Sequence, residues 1–390
     1  MKILYCALAI DISGSHGGAT HVREVTNGLA ALGHEMRVIV RGPNANRHHE
    51  RLNARVTRLT APPKLAWTAA PRVRKIVNEW QPDIVIERFY TFAGGGILAA
   101  HTRAIPAILE VNAPVFDPPG TAKDRVDRCI GSAMRRWATQ QCRWADVIVT
   151  PLATTVPATV REKVIPLQWG ANVRHFDPAR FPQTEAATYT LRRRYGIPPD
   201  APVVGFVGSF RTWHGAAEAI HAFHRVRAQI PNAFLLLVGD GPERQTLERA
   251  VRDASQPGIV FTGAVPYHDV PLHLALCDVA VAPFVPSLHP PLRSFGFYWS
   301  PLKVFEAMAM TIPVVTTAVA PLTEIVRGAG IAVPERDTDA LASAIVALLQ
   351  DAERRAAMGA IGRARVVAEW SWEAHCRHLD TLMTTLVTHR

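Results

Sequence analysis

Two doubly wound α/β domains in tandem are the fold class that this sequence predicts. Strand-like and helix-like segments alternate along the chain. The strand-like runs are apolar throughout rather than at every second residue, as expected for parallel sheets covered on both faces. The alternating series also runs once, halts near residue 178 and begins again. At 390 residues the chain exceeds one ordinary domain, and two domains of about 150–200 residues are expected. Sheets of this type bind ligands outside the carboxyl ends of their strands. The two domains, 1–178 and 179–370, are therefore expected to face one another across a cleft.

The first series opens with KILYCALAI (2–10) as a buried strand, a loop over 11–21 and a helix over about 20–32 that stops at Gly33. Asp11 interrupts the apolar N-terminal run and glycines follow, which reads as a first strand and loop rather than a secretory leader. MRVIV (36–40), DIVIER (83–88), AILEV (107–111) and DVIVT (146–150) are the next strands. A long, mostly polar helix is predicted over 121–145. Residues 178–197 read as a connection containing a helix, with turn residues at both ends. The second series has strands at 203–208, 233–239, 258–263 and 279–284 and a helix over 216–230. A helix then starts near Ser300, an apolar strand follows at Ile312–Val315, and 338–390 is largely helical.

A hydrophobic content of 48% suffices for full cores, and no apolar run approaches the ~18 residues that read as a membrane span. Five scattered cysteines form no CxxC pair or disulfide framework, which points to a reducing, cytoplasmic setting. The net charge of +10 is lopsided: residues 1–178 carry 23 Lys and Arg against 14 Asp and Glu, the remainder 20 against 19. Such asymmetry points to an anionic partner for the first half: membrane headgroups, an acidic acceptor or nucleic acid. No nucleic-acid-binding signature accompanies it, and the aromatic residues are not interleaved with the basic ones, so nucleic acid is the weakest of the three. The 121–145 segment sets Lys123, Arg125, Arg128, Arg135, Arg136 and Arg143 among Val126, Ile130, Met134 and Trp137. That pattern suits a helix lying on anionic lipid at the inner face of a membrane, and equally suits packing within a domain. His48-His49 lie in a basic polar stretch read as a solvated loop, with an acceptor or membrane contact as the sharper alternative.

The stretch SPLKVFEAMAMTIPVVT (300–316) carries the chemistry. Ser300 reads as a helix cap and Pro301 as the first turn, followed by Leu302, Lys303 and, one turn on, Glu306. A helix start presents unpaired N–H groups and a positive dipole end, which suit phosphate. Lys303 adds a full charge, and Glu306 can accept bonds from sugar hydroxyls. Together they suggest a clamp for a nucleotide-sugar diphosphate; the alternative is an ordinary helix–strand unit with a surface Lys–Glu pair.

Five segments, GGATHVREVTNGLAALGHEMRVIV (17–40), VGFVGSFRTWHG (204–215), LLLVGDGPER (235–244), VFTGAVPYHDVPLHLALCDVAVAPF (260–284) and SPLKVFEAMAMTIPVV (300–315), resemble in order and spacing family 4 of the retaining glycosyltransferases, here in a variant with Ser-Pro-Leu-Lys at the helix start. The resemblance covers most of the chain. It implies a metal-independent enzyme of GT-B architecture, with two Rossmann-like domains. In this family the C-terminal domain holds a UDP- or GDP-linked donor and the N-terminal domain holds the acceptor. No cofactor beyond the nucleotide sugar is implied. The terminal segment 371–390, with Trp372 near its start, matches the helix that crosses back to the first domain.

The resemblance also assigns residues. Gly17 and Gly18 match the glycine pair after the first strand, where bare backbone approaches phosphate or acceptor; a tight turn before a helix is the plainer reading. Glu306 matches the glutamate that bonds ribose. The family's other glutamate falls at Tyr298 and is absent, so the identity of the donor sugar does not carry over. Two family cations for the diphosphate fall at Ser209 and His214 and are also absent; Arg211 and Lys303 are the nearest replacements and are taken as the working pair. Gly239 lies in the turn after a strand, and Gly263 and Val265 match backbone positions beside the base. Arg244 is read either as a contact to base or phosphate or as a surface arginine. Asn112 stands where the family often shows a histidine and cannot act as a base; it is assigned to the donor sugar or acceptor. Glu110 beside it is read as structural or hydroxyl-binding rather than nucleophilic. Asp337-Thr338-Asp339 is read as a helix cap rather than a metal motif. The expected activity is sugar transfer in polysaccharide, glycolipid or natural-product assembly. A nucleotide-sugar 2-epimerase and a non-catalytic carbohydrate- or membrane-binding relative are the alternatives.

Overall fold

The computed structural model describes residues 1–13, 17–42, 52–182 and 186–389. His48 and His49 lie outside the described residues. The chain divides into two units. The first comprises Met1–Trp169, Ser294–Ser300 and Trp372–Arg390, and the second Gly170–Arg293 and Pro301–Ser371.

The first unit carries β1 (Lys2–Asp11), β2 (Glu35–Arg41), β3 (Arg55–Leu59), β4 (Ile84–Arg88), β5 (Ala107–Glu110), β6 (Val147–Thr150) and β7 (Val164–Pro166). They form a parallel sheet in the order β3-β2-β1-β4-β5-β6-β7. Side chains of β1 alternate between two cores. Leu4, Cys6 and Leu8 pack with Val73, Ile97 and Ala138, while Ile3, Tyr5 and Ala7 pack with Val25, Trp372 and Cys376. Both faces are covered, which is why the strand reads as an unbroken apolar run. The terminal helix Trp372–Thr388 buries Trp372, Cys376, Leu379 and Met383, a spacing of three and four residues that lines one helical face. Its partner is helix Gly17–Ala31, against which Cys376 lies beside Gly28.

The second unit carries β8 (Val203–Val207), β9 (Phe234–Val238), β10 (Ile259–Gly263), β11 (Val279–Ala282), β12 (Val314–Thr317) and β13 (Gly330–Val333). These pair in parallel in the order β10-β9-β8-β11-β12-β13. Helices Ala216–Gln229 and Thr338–Gln350 cover one face through Ala219, Phe223, Leu341 and Ile345.

Several details differ from the sequence expectation. β3, β7 and β13 were not expected; all three are sheet edges, where β3 (RVTRL) is largely polar and the apolar β7 (VIP) and β13 (GIAV) are only three and four residues long. The helix expected over 121–145 is two helices, Ala122–Cys129 and Ala133–Trp144. Gly131 (φ 70°) and Ser132 (φ 58°) break it, and the Asp127 carboxylate accepts from Met134 N and Arg135 N at the new helix start. The first helix begins at Gly17 rather than near residue 20. The units divide at Trp169 rather than at 178, because Phe176 is fully buried in the second unit and Arg363 bonds both its carbonyl and Asp177.

Candidate functional site

The second sheet changes winding direction at β8, with β9 on one side and β11 on the other. The carboxyl ends of β8 and β11 thus flank a switch point, the place where doubly wound sheets leave a crevice. Helix Leu302–Ala309 places Lys303 there. Its ammonium lies 4.3 Å from the Phe206 ring centre, on β8, and 4.8 Å from that of Phe284, just past β11. The stem is partly exposed, but the nitrogen is shut off from solvent and has no hydrogen-bond partner among the described residues. Gly208 makes the approach possible. Its φ is 149°, and a Cβ there would stand 2.8 Å from Lys303 Nζ.

Glu306 follows one turn along the same helix, 9% exposed, and accepts a 3.2 Å hydrogen bond from the Tyr267 hydroxyl. Burial pushes the Lys303 ammonium down to about 7, opposed by Glu306. Burial likewise pushes the Glu306 carboxyl up to about 8, opposed by the Tyr267 bond and Lys303. Each group is thus driven toward its neutral form, because burial outweighs the attraction between the two, which form no direct ion pair.

The loop after β8 supplies the rest. Ser209 Oγ and His214 Nδ1 lie 3.1 Å apart, so the two positions that lack the family's cations pair with one another. Burial, with the charges of Lys303 and Arg211, pushes His214 down to about 3 and keeps the ring neutral. Arg211 is exposed, with its guanidinium 5.5 Å from the Trp213 ring centre. Gly239 N donates to the Gly263 carbonyl at 3.0 Å, which joins the two turns after β9 and β10; Val265 lies partly exposed just beyond. Arg244, at the start of helix Arg244–Asp253, is held by Asp240 (3.1 Å) of the preceding turn and by Glu248 (2.7 Å) one helical turn on, a local network rather than a free cation. Asp337 caps helix Thr338–Gln350 by accepting from Ala340 N at 2.8 Å.

Ser300 is not the helix cap. It belongs to the first unit, where its hydroxyl donates to Gln168 Oε1 at 2.9 Å and accepts from Trp169 N at 2.8 Å. Pro301 occupies the cap position, with no side-chain cap bond. The Ser-Pro step is where the chain passes from one unit to the other, and the hydroxyl is already engaged.

Within the first unit, Trp169 is the residue that sequence reasoning missed. Its indole N–H donates to Asn112 Oδ1 at 2.6 Å, and its ring stands 3.5 Å from where a Cβ on Gly17 would lie. Gly17 and Gly18 are the first turn of a helix, not a loop. Trp169 thus gathers Gly17, Asn112 and Ser300. Nothing in the sequence marked it beyond an aromatic residue placed after the apolar stretch VIPL.

Beneath Trp169 lies a buried polar cluster. Tyr5 OH donates to Glu110 Oε2 at 2.6 Å, Arg88 donates to His21 Nδ1 at 2.9 Å, and the His21 ring lies 4.5 Å from that of Trp169. Burial pushes the Glu110 carboxyl up to about 7. His375 Nδ1 faces the Gln168 carbonyl at 2.8 Å, and burial pushes its imidazole down to about 4. Ligand atoms of His21, Glu110 and His375 lie within 4.8 Å of one another. The donor set does not suit a cation, however. Arginine cannot accept, so the Arg88 bond leaves the His21 proton on Nε2, the atom that would face a metal, and the guanidinium adds positive charge beside it.

Comparison with known proteins agrees with this arrangement. Residues 16–168 match the family described as glycosyl transferase 4-like domain, and residues 201–351 match glycosyl transferases group 1. The chain is 35% identical over 218 residues to a GDP-mannose-dependent monoacylated alpha-(1-6)-phosphatidylinositol monomannoside mannosyltransferase of Corynebacterium glutamicum, a match spanning 55% of this chain and 54% of that protein. It is 27% identical over 332 residues to a 2-deoxystreptamine glucosyltransferase of Streptomyces kanamyceticus, spanning 78% and 82%. Sucrose-phosphate synthase of Thermosynechococcus elongatus superposes over the full length of both chains with a TM-score of 0.71 at 20% identity, a likeness of fold. With one family model on each Rossmann-like unit, the chain belongs to the family 4 glycosyltransferases and has their GT-B fold.

Proposed function

We propose that this chain moves a sugar from a nucleoside diphosphate, GDP or UDP, to an acceptor, with retention at the anomeric carbon and without a metal ion. The observation that carries the proposal is the Lys303 ammonium, buried at the switch point of the second sheet against two aromatic rings and without a hydrogen-bond partner among the described residues. A buried cation without an anion is costly, and a diphosphate would relieve that cost. Arg211, on the loop after β8, is assigned as the second cation, and the tyrosine-supported Glu306 as the partner of ribose hydroxyls. Gly239, Gly263 and Val265 border the base. In the first unit, Asn112 and Gly17, gathered by Trp169, are assigned to the reacting sugar or acceptor.

In this reading the bond from the anomeric carbon to the phosphate oxygen breaks while the acceptor oxygen bonds that carbon on the same face. The acceptor's proton passes to the departing phosphate. Lys303 and Arg211 stabilise the charge that develops there, and no protein base is needed. The mannosyltransferase relative names GDP-mannose as its donor, which makes GDP-mannose the first donor to assay.

Glu306→Ala is expected to raise the donor KM at least tenfold, about 1.4 kcal/mol of binding; unchanged donor kinetics would remove that assignment. Loss of activity in EDTA, restored by manganese, would overturn metal independence. Proton NMR of the first-formed product would settle retention.

A further inference from the structure

We propose that the first unit holds a second binding site, a pocket for the hydrocarbon chain of an anionic amphiphile. The cavity, about 520 Å³, opens beyond the carboxyl ends of β4 and β5. That volume falls within the ~300–1,000 Å³ of small-molecule pockets. Tyr90 and Phe92 after β4, Val115 and Phe116 after β5, and Val126 and Met134 from the two short helices give it an apolar lining.

Several of its charged lining groups are already engaged. Asp124 accepts from Gly120 N at 2.9 Å and pairs with Arg128 and Arg135 at 3.1 Å, and Asp127 accepts from Met134 N and Arg135 N. An alkyl chain needs no polar partner, and the aromatic and aliphatic side chains of the lining supply its surroundings.

The rim states what the other end of the ligand should be. Leu65 (46% exposed), Trp67 (57%), Val126 (57%) and Ile130 (54%) stand exposed on the two segments that border the opening. Lys64, Lys123, Arg125 and Arg128 stand exposed beside them; Lys123 pairs with Asp117 and Arg128 with Asp124, which leaves the charges of Lys64 and Arg125 in excess. Large apolar side chains in water next to excess positive charge fit a chain entering the pocket while an acidic headgroup stays at the rim. The break at Gly131 and Ser132 matters here. It turns the helix expected from sequence into two short ones, which share the cavity wall instead of forming one rod lying on lipid.

The binding claim rests on the first unit alone; naming the amphiphile as the sugar's acceptor rests on the proposed function. The test uses the full chain and lysophosphatidylglycerol below its micelle concentration, by titration calorimetry, with GDP and UDP titrated in parallel. One-to-one binding is expected, at least a hundredfold tighter than glycerophosphoglycerol, which has the headgroup without the chain. Ala122→Trp, which fills the opening, should weaken lysophosphatidylglycerol at least tenfold and leave nucleotide binding unchanged. Lys64→Glu should weaken lysophosphatidylglycerol but not lysophosphatidylcholine. Equal binding of the chainless headgroup, or an unaffected Ala122→Trp protein that still binds nucleotide, would overturn the pocket. Equal affinity of wild-type protein for the two lysolipids would overturn the acidic headgroup. Lipid binding without any nucleotide binding would instead sink the transferase reading and leave this site standing.

Discussion

An ammonium flanked by two aromatic rings, with no hydrogen-bond partner among the described residues, is held at a cost to folding. Lys303→Met is therefore expected to raise the melting temperature of the ligand-free protein while abolishing the rise that GDP or UDP gives the wild type; differential scanning fluorimetry reads both. The pH dependence follows from the folded value of about 7 against about 10.4 unfolded. Between those values the unfolded chain binds more protons, so this residue's contribution to stability grows as pH rises through the window. Its penalty is fully present below pH 7. Diphosphate binding needs the proton, so nucleotide affinity should fall as pH rises above about 7, with proton uptake on binding. Calorimetry in buffers of different ionisation enthalpy measures this. Glu306→Gln should keep the dependence and Lys303→Met should lose it. Lys303 and Glu306 were legible in sequence because their spacing alone places them on one helical face. Trp169, Tyr267 and Phe206 were not, because each comes from an element distant in sequence from the residue that it touches.

Elements with apolar runs were legible, and those defined by their neighbours were not. β1, β4 and β8 are central strands and announced themselves; the edge strands β3, β7 and β13 carry polar or few residues and exist by pairing with one neighbour. The break at Gly131 and Ser132 was hidden because the basic and apolar periodicity runs through it. Gly215 shows an element fixed by tertiary approach. It starts helix Ala216–Gln229 at φ 83°, and a Cβ there would lie 1.9 Å from the Pro283 carbonyl oxygen. Gly215→Ala combines backbone strain with a clash against main chain, so the loss should reach at least the ~1–3 kcal/mol typical of strained positions. The denaturation midpoint of the second unit should drop accordingly, and an unchanged midpoint would contradict the geometry.

At the scale of the whole chain, the two units draw on separated stretches of sequence. The terminal helix Trp372–Thr388 completes a core of the first unit that contains Ile3, Tyr5 and Val25. A protein lacking residues 372–390 is expected to lose the fold of the first unit and keep that of the second. Limited proteolysis should then degrade the first unit rapidly, while GDP or UDP binding persists. Resistance of both units would show that the helix is dispensable. The charge surplus of the first half, visible in composition, is focused in part at the rim beside the apolar cavity. Among the described residues no helix is long and apolar enough to cross a membrane.

Sequence by itself determined the two doubly wound sheets, because strands buried on both faces must be apolar at every position. It also determined that Lys303 and Glu306 stand one turn apart on the same helix, because helical periodicity is local. Only the tertiary structure decided that Ser300 serves Gln168 and Trp169 instead of the helix, that Ser209 and His214 pair with one another, and that a cavity opens where the segments after β4 and β5 meet two short helices. Those outcomes depend on which distant side chains arrive at a site to engage a hydroxyl, lower a pKa or leave a space unfilled, and no spacing along the chain records them.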